Sequence, residues 1–499
     1  MMAATMQQQA LTEAADMVSS VPTGLFIDGA WRAAADGQQF SVHDPATGDV
    51  VARLANATPS DAMDALDAAD RAFPSWSRTP PRERAELLRR TFDLVMRDRE
   101  RIARIITLEM GKPLRESHAE VSYGAEFLRW FGEEAVRISG RFGSSPEGTG
   151  DMIVSRHALG PALLITPWNF PLAMATRKIA PALAAGCTVV IKPAALTPLT
   201  TLYLVKLLEE AGLPAGVVNV IPTTNSGGAT GPIIADSRLR KISFTGSTQV
   251  GRVLLEKASA NILRSSMELG GNAPFLVFDD ADLSRAVEGA LVAKFRNIGQ
   301  ACTAANRFIV HASVAQEFSR RVAEKVAQFK LGSGFDPDVA IGPLIDEAAV
   351  AGVDELVQDA LSRGATLVTG GKRRGGAGTF FEPTVLTDVA RDSRILREEI
   401  FGPVLPIVTF DTDDEAIAIA NDTEYGLVGY AFTASIERGQ RLINELQTGM
   451  MGWNVGVLSN AAAPFGGVKM SGLGREGGAE GIDEYLTTKY TLLPSVSRP

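Results

Sequence analysis

The sequence predicts an α/β fold made of two successive α/β regions, and three observations carry that expectation. Short apolar runs alternate with helical stretches from 160 to 280. A second alternation of the same kind fills 280–470. Runs this apolar, separated by helices, suit a parallel sheet covered on both faces.

Bulk properties narrow the class. At 499 residues the chain exceeds one simple core, and about two to four domains are expected. A net charge of -9 argues against nucleic acid as the main partner, because phosphate binding needs a basic face. It leaves room for a local arginine pocket that takes a small anion. Two cysteines cannot build a disulfide framework, so a reducing, cytoplasmic compartment is expected. The longest apolar stretch, near Ile179–Ile191, is broken by Pro181 and Gly186 and is too short for a membrane span. Four scattered histidines, with no HExxH or CxxC spacing, predict no metal site.

The elements follow in order. Residues 1–24 lack the Lys and Arg of a secretory or transit segment and read as a flexible polar extension. Leu25–Trp31 and Gly48–Leu54 read as short strands, with the turn signal Asp44-Pro45-Ala46-Thr47-Gly48 at their junction. Ala62–Ala72, Glu83–Arg99 and Lys112–Arg137 carry apolar residues at helical spacing. The first α/β region offers the strands Ala162–Thr166, Thr188–Lys192, Val217–Ile221, Ile242–Thr245 and Pro274–Phe278. Helices near Met174–Ala184, Leu199–Ala211, Thr230–Ala235 and Gln249–Ala258 separate them. In the second region Leu283–Asn297 reads as a helix, and Arg307–His311, Thr366–Thr369, Leu405–Phe410, Gly429–Thr433 and Met450–Val455 as strands. Glu484–Leu493 reads as an edge strand able to pair with another subunit.

Ligands on parallel sheets bind beyond the carboxyl ends of the strands. Pro167-Trp168-Asn169-Phe170-Pro171, Lys192-Pro193 and Gly246-Ser247-Thr248 all fall on that edge. The run Glu268-Leu269-Gly270-Gly271 precedes Pro274–Phe278 and is expected at the start of that strand. A GxGxxG pattern at Gly472, Gly474 and Gly477 has no apolar strand leading into it, so it reads as a sharp connecting loop. This is a dinucleotide-site argument made without that motif.

The chemistry centres on Cys302, 34 positions after Glu268. A single cysteine and a carboxylate in a glycine-rich run, on a nucleotide-type α/β pattern, suggest covalent thiol catalysis. The plainer alternative is a buried apolar cysteine, the commoner fate of a free thiol. Cys187 precedes a buried strand and is expected to pack in the core.

Six blocks carry a resemblance: Pro167-Trp-Asn-Phe-Pro, Phe244-Thr-Gly-Ser-Thr, Met267-Glu-Leu-Gly-Gly-Asn, Gly299-Gln-Ala-Cys, Glu399-Ile-Phe-Gly-Pro and Pro464-Phe-Gly-Gly-Val-Lys. In this order they resemble the NAD(P)-dependent aldehyde dehydrogenase superfamily, over about residues 25–490. Thr176-Arg-Lys, Ala293-Lys-Phe-Arg-Asn and Gly456-Val-Leu-Ser-Asn are similar to its succinate-semialdehyde-oxidising branch. The resemblance implies a Rossmann-type cofactor domain at 25–139 and 159–268 and an α/β catalytic domain at 269–470. It also implies an oligomerisation strand segment at 140–158 and 484–499, in a homodimer or homotetramer.

By the same resemblance, Cys302 is the nucleophile, forming a thiohemiacetal and, after hydride loss to the nicotinamide, a thioester. Asn169 acts with the Cys302 backbone N–H as oxyanion donor, and Glu268 is the base that activates water. For the cofactor, the likeness points to Thr166, Trp168, Lys192, Ala195, Gly246, Ser247, Leu269, Glu399 and Phe401. Lys192 would hold the adenosine ribose and Glu399 the nicotinamide ribose, and Ser247 lies at a helix start that favours phosphate. NAD-preferring relatives often carry a glutamate where this chain has Ala195, so either NADP or NAD is expected, with NADP accepted.

Arg177, Arg296 and Ser459 resemble the positions that bind a substrate carboxylate, which a guanidinium can grip bidentately. The expected substrate is a small aldehyde carrying a carboxylate, succinic semialdehyde. Alternatives are glutarate semialdehyde, a neutral aldehyde or, in another class, a non-catalytic structural protein on this fold. A CoA-acylating relative usually lacks the glutamate present here as Glu268. In isolation Arg177 and Arg296 read as exposed helical charges, Lys192 as a solvent lysine and Glu268 as a solvated loop acid. Ala304 stands where relatives often carry a second cysteine, and Trp453 either narrows the substrate pocket or packs behind it.

Overall fold

In the computed structural model, residues 18–494 are described, so positions 1–17 of the expected extension lie outside the described residues. The first sheet has eight strands. Its centre is five parallel strands in the order Arg264–Glu268, Lys241–Thr245, Ala162–Ile165, Val189–Lys192 and Val218–Val220. The hairpin Leu25–Ile27 and Ala30–Arg32 closes one edge, and the antiparallel pair Gly472–Leu473 closes the other. The central strands Ala162–Ile165 and Val189–Lys192 are buried at every position, as a sheet covered on both faces requires.

Two sequence expectations change here. The strand expected at Pro274–Phe278 runs from Ala273 to Val277 and belongs to the second sheet, parallel to Ala305–His311 and Val428–Phe432. Its place in the first sheet is taken by Arg264–Glu268, a polar RSSME run without the apolar signature of a strand. The run beginning at Glu268 therefore lies at the carboxyl end of one strand as well as before the next. All four segments read as site-forming thus meet the carboxyl edge of the first sheet.

The second sheet has seven strands: Thr366–Thr369, Thr384–Thr387, Val404–Phe410, Ala305–His311, Ala273–Val277, Val428–Phe432 and Met450–Trp453. Its core is aromatic, with the Phe275 ring 5.0 Å from Phe308 and 4.9 Å from Phe432. A separate sheet pairs Arg141–Ser144, Gly150–Ala158 and Leu486–Pro494. The tail strand forms its outer edge, with eight of nine residues exposed.

Helix Pro171–Ala185 matters most for the site. Proline fills its first position and Gly186, at φ +92°, closes it in a left-handed cap. Every one of its residues is buried. Helix Leu114–Ala135 packs beside it and sends Glu120 to accept from Leu172 N (2.9 Å) and Ala173 N (3.3 Å), two amides that lack an acceptor within their own helix.

Candidate active site

Carboxyl-end loops of the first sheet face amino-end loops of the second across a cavity of about 220 Å³. Asn169, Trp168, Gly246, Ser247, Leu269, Cys302, Glu399 and Phe401 line it together with Met174.

Cys302 is half-buried in this wall, whereas Cys187 is fully buried, its Sγ 3.3 Å from Tyr485 O. Burial pushes the Cys302 thiol up to about 12; Arg177 and Arg296 oppose that rise, and Glu399 and Glu268 add to it. The approach to Cys302 is strained. The helix expected to reach Asn297 ends at Phe295, and Asn297, Ile298 and Gly299 follow at φ +55°, +62° and +75°. Left-handed geometry costs a β-branched residue about 1–3 kcal/mol, so the surroundings must fix it. Asn297 Nδ2 donates to Gln300 O (2.7 Å) and Asn169 O (3.2 Å), and Asn297 N donates to Glu116 Oε2 (2.5 Å). Gln300 Oε1 in turn accepts from Ile345 N (3.0 Å).

Asn169 is locked into the same web. Its Nδ2 donates to Gln300 O (3.0 Å), and its Oδ1 is buried without a partner. Its carbonyl accepts from Lys112 Nζ (2.7 Å), and Lys112 pairs with Glu120 (2.5 Å) where both side chains are fully buried. Nucleophile loop and amide donor are thus cross-braced through Gln300 and Asn297.

Glu268 is 3% exposed, and neither carboxylate oxygen has a hydrogen-bond partner. This excludes a solvated loop acid. Burial raises it well above the ordinary carboxylate range; Glu476 adds to the rise, against Arg177, Lys178 and Arg475. Such a carboxyl has high proton affinity and freedom to act as a base.

The rest of this edge suits a hydroxyl- and phosphate-bearing ligand, with Lys192 and Thr166 standing outside the cavity wall itself. Lys192 ends its strand at 6% exposure, and desolvation alone lowers it to about 8. Thr166 N donates to Lys192 O (3.3 Å). Ser247 caps helix Thr248–Ser259, its Oγ accepting from Val250 N (3.4 Å), so the helix's N-terminal residue meets the cavity wall. A Cβ on Gly246 would meet the Phe244 ring at 2.4 Å, so a larger residue there would have to displace that ring. Trp168 stands edge-on to Phe401 at 5.4 Å. Glu399 accepts from Gly271 N (3.1 Å) and is raised to about 7 by burial. Ala195 is half-buried and lines a different cavity, of about 330 Å³, beside Glu109 and Asp346.

Arg177 is no exposed helical charge: it is 1% exposed, and its guanidinium lies over the Phe465 ring at 4.2 Å. Its Nε lies 2.6 Å from Glu476 Oε2, Nη2 donates to Met174 Sδ (3.0 Å), and Nη1 is buried without a partner. Glu476 also pairs with Lys178 and accepts from Ser243 Oγ (3.3 Å). Burial pulls this carboxyl up, but Lys178 and Arg177 outweigh that and hold it below its usual range. Arg296 is half-buried over Phe170 (5.6 Å) and forms no salt bridge among the described residues. Ser459 is set apart from Cys302, in an opening of about 390 Å³ shared with Tyr123 and Trp130.

Two open readings resolve. Trp453 does not line this cavity: its ring lies against Gly439, where a Cβ would fall 2.2 Å away, and Nε1 donates to Thr433 O (3.4 Å). The GxGxxG segment is a connecting loop whose first residues, Gly472–Leu473, pair with Met267 and Glu268. Sequence reading missed Glu476, Lys178, Lys112, Glu116, Glu120, Asn297 and Gln300. Glu476 lies within that loop, but nothing local shows that it reaches Lys178, 298 positions away.

The comparisons agree with one another. A family model described as "Aldehyde dehydrogenase family" matches residues 31–491. A succinate-semialdehyde dehydrogenase of Paenarthrobacter nicotinovorans is 57% identical over 441 residues, covering 88% of this chain and 98% of the relative. The NADP(+) succinate-semialdehyde dehydrogenase GabD of Escherichia coli is 48% identical over 468 residues, covering 94% and 97%. The crystal structure of betaine aldehyde dehydrogenase from Staphylococcus aureus in complex with NAD+ matches with TM-score 0.95 at 36% identity, covering 98% of each chain.

Proposed function

This chain belongs to the aldehyde dehydrogenase family and is an NAD(P)-dependent oxidoreductase, and from that premise we propose that it oxidises succinic semialdehyde to succinate through Cys302. The observation that carries the substrate is the pair of guanidinium groups beside the cavity: Arg177, which rests on the wall residue Met174 and keeps Nη1 without a partner, and Arg296, which reaches Thr303 next to Cys302 (3.5 Å). A carboxylate held there lies within reach of an aldehyde at the thiol. Ser459, from its separate opening, would meet the substrate on its way in.

Each residue then has a task. The Cys302 thiol releases its proton to solvent and reacts as the thiolate. The thiolate attacks the aldehyde carbon, and Asn169 Nδ2 with the Cys302 N–H holds the oxyanion. Bound NAD(P) supplies a hydride acceptor. The Cys302 thioester that remains is hydrolysed by water that Glu268 deprotonates.

Residues that would hold the cofactor are Lys192 at the adenosine ribose, Ser247 and Gly246 at the diphosphate, and Glu399 with Phe401 at the nicotinamide ribose. Trp168, Thr166 and Leu269 shape the wall. Support comes from the desolvated, unpartnered Lys192 and from Gly246 and Ser247 in the cavity wall. Ala195 itself sets no carboxylate against a 2′-phosphate, although Glu109 and Asp346 line the same cavity, and entry of both NADP and NAD is proposed. The domain division expected above is proposed on the same terms. The exposed outer edge of Leu486–Pro494 supports assembly into a homodimer or homotetramer. No helix among the described residues is long and apolar enough to cross a membrane, and a cytoplasmic enzyme is proposed.

The test is kcat/KM for succinic semialdehyde, glutarate semialdehyde and butanal, each with NAD and NADP. A preference of about a hundredfold or more for the carboxylated aldehydes over butanal is expected. One methylene separates the two semialdehydes and is worth about 10–200-fold. Equal rates on all three would overturn the substrate assignment.

A further inference from the structure

We propose that Glu116 is a positioning residue for the nucleophile, bracing the left-handed turn that carries Cys302 into the cavity. The inference rests on Cys302 as nucleophile, and it assigns a role to a residue outside the cavity wall. Glu116 and Glu120 stand one turn apart on the same face of helix Leu114–Ala135. Glu120 serves the amide half of the site: it holds Lys112, which holds Asn169 O, and it takes the amides of Leu172 and Ala173. Glu116 serves the nucleophile half through a single contact, Oε2 to Asn297 N at 2.5 Å.

That contact falls on the first residue of the left-handed run Asn297, Ile298, Gly299. Asparagine and glycine tolerate this geometry, but isoleucine does not adopt it without external support. The turn has little room to relax another way, because a Cβ at Gly299 would lie 2.2 Å from Gly402 O. Fixing the Asn297 amide therefore fixes the start of the turn. Asn297 Nδ2 carries the constraint on to Gln300 O and Asn169 O, so one carboxylate oxygen aligns thiol and oxyanion donor together. Burial raises Glu116 above the ordinary carboxylate range, and the Asn297 amide, Lys112, Arg296 and Arg115 work against that rise.

Two variants separate reach from charge. Glu116→Gln keeps an acceptor at the same distance and loses the charge. Glu116→Asp keeps the charge and withdraws it by one methylene. The readouts are the single-turnover rate of hydride transfer and the rate of Cys302 alkylation by iodoacetamide, both per correctly folded site, with the KM for NADP alongside. Glu116→Asp is expected to slow hydride transfer about 10²-fold and to change the alkylation rate, with KM for NADP unchanged. Glu116→Gln is expected to stay within about threefold of the parent. Parent-like rates in Glu116→Asp, the reverse pattern, or equal losses in both variants that track thermal stability would each overturn the brace. Cys302→Ala is the separate control: if it still reduced NADP with aldehyde, the nucleophile assignment would fall, not the brace alone.

Discussion

The two parallel sheets meet the cavity with opposite ends. The first presents carboxyl ends: Trp168 and Asn169 after Ile165, Lys192 on its own strand, Ser247 after Thr245, and Glu268 at its strand's last position. The second presents amino ends: Cys302 before Ala305, Glu399 and Phe401 before Val404, Gly270 and Gly271 before Ala273. Carboxyl ends of such strands lead into helix N-termini, which bring free amides and a positive dipole end. Amino ends follow loops, which can turn sharply. The first sheet's edge is accordingly built from regular geometry and glycine. The second sheet's edge carries left-handed Phe401 and, before Cys302, three successive left-handed residues held by buried hydrogen bonds.

This contrast can be broken at either edge. The largest effect is expected at the second sheet: Cys302→Ala should lower kcat by about 10⁴-fold or more in steady-state NADP reduction, leaving cofactor binding by fluorescence intact. Retained activity would mean that the amino-end loops carry no chemistry. At the first sheet, Glu268→Gln should lower steady-state kcat by about 10²–10⁴-fold while keeping a first-turnover burst of NADPH, because hydrolysis rather than hydride transfer loses its base. Loss of the burst as well would give Glu268 a dominant role in deprotonating the thiol.

Arg296→Leu sharpens the comparison, since it changes the loop that leads to Cys302 without touching the buried Arg177–Glu476 pair. The kcat/KM for succinic semialdehyde should fall by about 30-fold or more, the equivalent of about 2–5 kcal/mol, with butanal nearly unchanged. A uniform fall for both aldehydes would point to a disturbed turn instead. Ala195→Glu tests the far end of the cofactor side. It should raise KM for NADP about tenfold and leave NAD within about threefold; equal effects would place Ala195 away from the 2′ position.

The smallest effect is a pH dependence. Glu399 is raised to about 7 by burial, so it is neutral below that pH and a carboxylate above it. Only the carboxylate accepts from two ribose hydroxyls. KM for the cofactor should therefore fall about fivefold between pH 6 and pH 8, and Glu399→Gln should flatten the curve. A curve that rises, or survives the substitution, would remove Glu399 from ribose binding.

The same contrast explains what could be read from the sequence. Trp168, Lys192 and Ser247 stand directly after apolar runs, so strand ends located them. Strand Arg264–Glu268 escaped because RSSME lacks an apolar pattern, and that cost the correct edge for Glu268. Pro274–Phe278 was legible as a strand but not as a member of the second sheet, because sheet membership is a long-range contact. Cys302 and Asn169 stood out by their motifs, yet Glu116 reaches Asn297 across 181 positions and Lys112 reaches Asn169 across 57. A helical glutamate with no local oddity carries no mark of such a partner.

The Arg177–Glu476–Lys178 cluster also constrains how this site can change over generations. One carboxylate answers two buried cations, so replacing Arg177 by a neutral residue strips Glu476 of a partner where water cannot compensate. Breaking such a buried pair from one side costs about 3–5 kcal/mol, a large share of what a folded chain has to spare. Arg296 has no such dependant. Drift toward uncharged aldehydes would therefore begin at Arg296, and lineages that also lost Arg177 should carry a matching replacement at position 476.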